Sequence, residues 1–277
     1  MSSVYIEYQF EVTPLQPGVE ILIAELGYAG FESFVETEVG VTAYIQKEEW
    51  YAAILEEIQL LKSKEFSVRY TTTEIAQVNW NAEWEKNFDA IEVDDRCVVR
   101  APFHPKTSVP YEIVIEPKMS FGTGHHETTF MMLQYILDHD FKDDSVLDMG
   151  CGTAVLAILA EKRGATQLDA IDIDPWCVEN SEENIIRNNC QHITVQLGDA
   201  AVIPKKKYSV VIANINRNIL LNDMARYKDS FLEGGTLYLS GFYEEDLPVI
   251  KACCNNLGFQ FVDNKKKNNW IAAKFVI

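Results

Sequence analysis

Residues 116–129, EPKMSFGTGHHETT, set two adjacent histidines and a carboxylate beside two glycines. That grouping can be a metal site, a phosphate cradle or a lid over a ligand. His125 and His126 point in different directions on a helix, and no third nitrogen or thiolate is supplied nearby, so no metal is expected. The glycines let residues 121–124 fold closely over a ligand. A helix is expected from His125, with Thr129 offering a hydroxyl in its first turn and the helix amino end facing a carboxylate.

A second constellation follows in SVLDMGCGTAV, where Gly150 and Gly152 lie at the junction of a strand and a helix. The backbone must turn tightly there and approach a ligand closely, which a side chain obstructs. Asp172 stands 22 residues after Gly150, at the end of the next strand, where a carboxylate can accept hydrogen bonds from both ribose hydroxyls of an adenosine cofactor. A dinucleotide fingerprint needs a third glycine, but Val155 occupies that position. Asp148 also repels a pyrophosphate, whereas it favours the ammonium and sulfonium of S-adenosylmethionine. LGD ends the third strand and offers Asp199 to an adenine amino group; IAN ends the fourth and brings Asn214 to the same carboxyl edge.

The elements that must position these groups fall into two patterns. Residues 1–76 read as strand, helix, two strands, helix, strand, with the second helix expected in EEWYAAILEEIQLL. That order predicts a ferredoxin-like domain, often a recognition module. Residues 77–90 are expected to form a linker helix, with Trp80, Trp84 and Phe88 along one face packed on a neighbour. Residues 91–277 form the third segment. From Asp143 on, strands and helices alternate, which implies an α/β, doubly wound, mostly parallel sheet of seven strands whose last strand is antiparallel. Lys205–207 and Lys265–267 read as solvated turns, the second joining the closing pair of strands.

The 277 residues carry a net charge of −18, which opposes binding to phosphate backbones and membrane headgroups and attracts basic proteins. Residues 1–76 hold thirteen glutamates, no aspartate and four basic residues, Lys47, Lys62, Lys64 and Arg69, and so account for −9 of the total. Either plain solubility or a docking face for a basic partner explains this. Six cysteines without metal-ligand spacing predict reduced thiols. With no signal-peptide pattern and no apolar run long enough to span a bilayer, the expected location is the cytoplasm.

FGTGHHETT, LDMGCGTAVLAI, AIDIDP and VVIANI, in this order, resemble the PrmA-type family, class I methyltransferases that modify the eleventh protein of the large ribosomal subunit. The resemblance is close across residues 116–241 and looser toward the front, where that family has a ferredoxin-like substrate-recognition domain joined by a helix. It implies S-adenosyl-L-methionine as cofactor, with contacts from Thr129, Gly150, Asp172 and Asn214, the last near the reacting methyl. It implies Phe121, Gly152, Ile173 and Asp199 as further wall and adenine contacts. After the asparagine the family often has small or apolar residues, and NINRN departs from this at Asn216 and Arg217.

The implied reaction is attack by an amine, a lysine side chain or an N-terminal amine, on the sulfonium methyl. A lysine ammonium, with a reference pKa of about 10.4, must first lose a proton. Desolvation eases that loss, and the Asn214 carbonyl can orient the neutral nitrogen. No residue must act as a dedicated base. Phe121 can meet the sulfonium through its ring face or only pack the loop. The expected partner is a basic large-subunit ribosomal protein, with no direct contact to nucleic acid or membrane and a monomeric enzyme. The alternatives are methylation of a nucleic-acid base or small amine, and a non-catalytic ribosome-associated module that holds cofactor. NINRN lacks the aromatic residue that stacks a flipped base.

Overall fold

In the computed structural model residues 4–75, 88–118 and 120–277 are described. The chain divides into two compact units, Met1–Phe88 and Asp89–Ile277. The expected linker helix lies almost wholly outside the described residues, Trp80 and Trp84 included, and residues 88–90 are not helical.

The first unit contains β1 (Tyr5–Thr13), α1 (Leu15–Tyr28), β2 (Ser33–Thr37), β3 (Gly40–Gln46) and β4 (Ser67–Ile75). They form an antiparallel sheet in the order β2-β3-β1-β4, the ferredoxin-like arrangement. Alternation along β1 turns Ile6, Tyr8, Phe10 and Val12 inward, where Val19, Leu22 and Leu26 of α1 cover them. The helix expected in EEWYAAILEEIQLL does not form. Two 3-10 turns, Ile54–Glu57 and Leu60–Lys62, stand in its place. Four glutamates and no basic residue lie between Lys47 and Lys62, so a helix there lacks i,i+4 charge pairs. Long-range bonds fix the irregular path instead: Trp50 donates to the Tyr8 hydroxyl at 2.8 Å, and the Leu60 amide donates to Glu25 at 3.0 Å. The turns still bury Ile54, Ile58 and Leu60, so the core obtains its apolar cover without the helix.

The second unit opens with a small sheet that was not legible beforehand: β5 (Ile91–Val93), β6 (Cys97–Arg100) and β7 (Tyr111–Val114), in that order, with β6 and β7 parallel. There follow α2 (Glu127–Asp138), β8 (Ser145–Met149), α3 (Val155–Lys162), β9 (Gln167–Asp172), α4 (Pro175–Arg187), β10 (Ile193–Leu197), β11 (Tyr208–Asn214), α5 (Arg217–Asp229), β12 (Phe231–Tyr243), α6 (Leu247–Asn256), β13 (Gln260–Lys267) and β14 (Trp270–Val276). The seven-stranded sheet runs β10-β9-β8-β11-β12-β14-β13, with β14 antiparallel to both neighbours. Both faces are covered. One buries Val146, Val210 and Ile212 with residues of α2 and α3; the other buries Leu147, Val211 and Ala213 with residues of α5 and α6. Two-sided burial explains why these strands read as apolar runs.

Two boundaries differ from expectation. The helix after the paired histidines begins at Glu127, because the His126 ring caps it by accepting from the Thr128 amide. Lys265–267 belong to β13 and not to a turn; Lys265 and Lys267 lie over the rings of Tyr135 and Phe130 on α2, and Lys266 pairs with Glu244. The aromatic and acidic neighbours hold these cations against the strand.

Candidate active site

Neighbouring strands β8 and β11 lead into helices on opposite faces of the sheet, and this switch point opens a crevice at their carboxyl ends. A cavity of about 410 Å³ sits there. The Gly150 and Cys151 amides both donate to the Ile171 carbonyl, at 2.8 and 3.1 Å, and draw the turn after β8 against the end of β9. At Gly152, with φ +56°, an added Cβ falls 2.2 Å from the Phe121 carbonyl oxygen; at Gly150, with φ +68°, it falls 2.1 Å from Ile215. Both glycines are therefore required by close approach of other protein segments, before any ligand is considered.

Helix α4 staples the surroundings. Asn184 and Asn188, one turn apart, accept from the Glu116 and Val114 amides at 3.0 and 2.9 Å. Asn184 also donates to the Thr153 carbonyl, and Ser181 donates to that of Gly152. The loop over the cavity is latched at two points: the Thr153 amide donates to the Phe121 carbonyl at 3.0 Å, and the Thr153 hydroxyl to that of Gly122 at 2.6 Å.

Seven of the eight residues singled out in the sequence line this one cavity: Phe121, Gly150, Gly152, Asp172, Ile173, Asp199 and Asn214. Thr129 does not. It is buried, and its hydroxyl receives the Asn214 side-chain amide at 3.4 Å. The amino end of α2 is furnished by the chain's own groups, the His126 ring and the Glu127 carboxylate, which its own backbone amide holds below the usual range. Asn216 caps α5 by accepting from the Ile219 amide, and Arg217 pairs with Asp246 at 2.6 Å. The sequence reading missed Trp176, Ile219, Asp223 and Tyr227 as lining residues. The proline that starts α4 was a usable signal for Trp176, since it fixes that residue in the first turn of the helix that follows Asp172.

The electrostatics are one-sided. Asp172, Asp174, Asp199 and Asp223 line the cavity and none of its lining residues is basic. Such a wall repels a pyrophosphate and accepts a cation. Asp172 takes the Gly152 amide on one oxygen at 2.8 Å and the Asp174 amide on the other at 3.0 Å, which leaves a lone pair on each for vicinal hydroxyls. Asp199 caps the turn after β10 through the Ala201 amide. The Asn214 carbonyl oxygen is buried with no hydrogen-bond partner, a cost of roughly 1–3 kcal/mol that an incoming donor removes. Beneath the glycine turn, Asp148 is wholly buried, and one of its oxygens also lacks a partner. Burial first, then the nearby Asp172 charge, pushes its carboxyl from 3.8 up to about 7, against the Ala157 amide, which acts to lower it. S-adenosyl-L-methionine, an adenosine carrying net positive charge, fits this donor set.

Asp172, Asp174 and Cys177 bring their ligand-type atoms within 4.8 Å of one another. Burial pushes the Cys177 thiol up, and each Asp172 oxygen accepts one backbone amide. These groups serve the cavity wall.

Among the described residues, no helix is long and apolar enough to cross a membrane. The family model described as ribosomal protein L11 methyltransferase (PrmA) matches residues 20–276. The chain is 47% identical to a ribosomal protein L11 methyltransferase of Phocaeicola vulgatus, with 99% of each chain covered. It is 48% identical to that of Bacteroides thetaiotaomicron over 98% of this chain and 99% of the other. A crystal structure of a ribosomal protein L11 methylase from Lactobacillus delbrueckii subsp. bulgaricus superposes with a TM-score of 0.63 at 26% identity, covering 68% of this chain and 98% of that one. The switch-point cavity, its acidic walls and a match that spans nearly the whole sequence agree, and the chain belongs to the ribosomal protein L11 methyltransferase (PrmA) family.

Proposed function

We propose that this enzyme transfers methyl groups from S-adenosyl-L-methionine to amino groups of ribosomal protein L11, lysine side chains and the N-terminal amine being the acceptors. When bound, the cofactor supplies a sulfonium methyl that an amine lone pair takes, positive charge passing from sulfur to nitrogen as one bond forms and the other breaks. The observation that carries the reading is the unpartnered, buried Asn214 oxygen at the carboxyl end of β11. It accepts an N–H of the neutral acceptor amine and aims its lone pair. Thr129 holds the other end of the Asn214 amide, which makes it a positioning residue. Asp172 binds the ribose hydroxyls, Asp199 the adenine amino group, and Ile173 with Phe121 the apolar walls. An acceptor that loses water on entering beneath the latched loop is favoured in its uncharged form. The proton lost before each transfer goes to solvent.

The first unit is read as the recognition domain for this basic partner. The open face of its sheet is nearly neutral, with Glu7 and Glu11 on β1 and Arg69 opposite Glu11. The other glutamates stand on α1, in turns or on the edge strands, so the attracting field comes from there. A monomer in the cytoplasm, with no direct nucleic-acid contact, completes the proposal. Labelled methyl transfer to purified large-subunit proteins, compared with ribosomal RNA, tests it. Label in L11 is expected; label in RNA favours the base-methylating alternative, and cofactor binding without transfer favours a non-catalytic module.

A further inference from the structure

Four aromatic rings continue the site beyond Asn214, on the side away from the adenine end. Phe121 lines the cavity and is 50% exposed. Its ring lies 5.1 Å from that of His126, which lies 4.7 Å from Trp270, which lies 4.1 Å from Tyr243. Sheet register places this row. Asn214 pairs with Ser240 on β12, and Tyr243, farther along the same strand, pairs with Trp270 at the start of β14. Asp172 and Asp199 stand at the carboxyl ends of β9 and β10, Tyr243 and Trp270 on β12 and β14 with β11 and its Asn214 between, and His126 and Phe121 link those two rings back to the cavity.

We propose that Phe121, His126, Trp270 and Tyr243 form the wall along which the acceptor's aminoalkyl chain reaches Asn214, and that its ring faces retain the amine in cationic and methylated states. This rests on the reading of the cavity as a methyl-transfer site. Before it loses its proton, and again after each transfer, the acceptor nitrogen is a cation. Ring faces attract a cation electrostatically and require no N–H donor, so they hold methylated ammonium groups as well as unmethylated ones. A wall of carboxylates alone favours the N–H-rich ammonium, because each methyl removes a donor. His126 is held in the row by its Nδ1, which accepts from the Thr128 amide at the start of α2. The rim carries both signs: Glu127 accepts from Asn268 at 2.6 Å, Glu244 pairs with Lys266, and Lys267 stands opposite Trp270 on β13. Tyr243 is anchored through its amide to Asp246 at 3.2 Å, so the row belongs to the scaffold.

Two measurements test the wall. In the protein saturated with S-adenosylhomocysteine, choline is expected to shift the ring resonances of Trp270 and Tyr243, binding about fivefold tighter than its neutral isostere with carbon in place of nitrogen. With L11 as acceptor, Trp270→Leu is expected to raise KM roughly tenfold while cofactor Kd stays within about twofold, and Trp270→Phe to restore KM. The fraction of L11 carrying more than one methyl per site is expected to fall in Trp270→Leu and in Tyr243→Leu. Equal binding of choline and isostere, or unchanged KM and product distribution in both leucine variants, overturns the wall. If wild-type protein transfers no methyl to L11, the proposed substrate fails, and the choline comparison still decides the wall by itself.

Discussion

Asp148 is held where its charged form is disfavoured. Its pKa in the fold is raised from 3.8 to about 7, so the associated stability is fully present below about pH 3.8 and is lost as pH rises through about 7. In the cofactor-free protein Asp148→Asn is expected to match the wild type most closely near pH 3.5 and to be more stable than it by a few kcal/mol at pH 8, measured by urea unfolding. Equal stability at both pH values contradicts the assignment. Asn214→Ala is expected to lower kcat by at least about a hundredfold with a much smaller change in cofactor Kd, by single-turnover transfer and calorimetry. Asp172 and Asn214 were legible because each ends a strand at the ligand-binding edge. The contact of Thr129 was not, since spacing alone cannot show that the Asn214 amide claims its hydroxyl. Trp176 escaped because its helix was read for its proline and its period, not for what its first turn faces.

At the scale of elements, the doubly wound sheet followed from short apolar strands alternating with helices of clear period. The second helix of the first unit did not follow, because tertiary bonds from Trp50 and Glu25 outweigh local helical preference. The small sheet was invisible for another reason: its strands are three or four residues long, too short to carry a pattern. Its stability has a testable centre. The buried Arg100 guanidinium donates to Glu112 at 2.8 Å, and this bond, helped by the Thr107 amide, lowers the carboxyl from 4.5 to about 2. The stabilisation is present above about pH 4.5 and is lost as pH falls through about 2. Glu112→Gln, which leaves Arg100 without its countercharge, is expected to cost roughly 3 kcal/mol and to flatten this acid dependence, checked by chemical denaturation between pH 3 and 7. Gly152→Ala puts a Cβ against the Phe121 carbonyl at a positive φ, and is expected to strain the turn by about 1–3 kcal/mol and weaken cofactor binding at least tenfold. Normal affinity in a folded Gly152→Ala protein means that the loop does not need this approach.

Over the whole molecule, charge was readable from composition, while its arrangement needed the fold: the sheet's open face is nearly neutral, with Glu7 and Glu11 against Arg69, and the other glutamates lie on α1, in turns or on the edge strands. With −9 of the −18 charges in residues 1–76, raising salt is expected to raise KM for L11 severalfold while cofactor Kd changes little; equal salt dependence contradicts electrostatic capture. The most direct test of the central claim is the intact mass of L11 after incubation with S-adenosyl-L-methionine and either wild-type or Asn214→Ala enzyme. Wild-type enzyme is expected to add mass in steps of one methyl, on amino groups, and the variant to add almost none while still binding cofactor. An L11 mass that wild-type enzyme leaves unchanged, or that Asn214→Ala shifts as fast as wild type, contradicts the account.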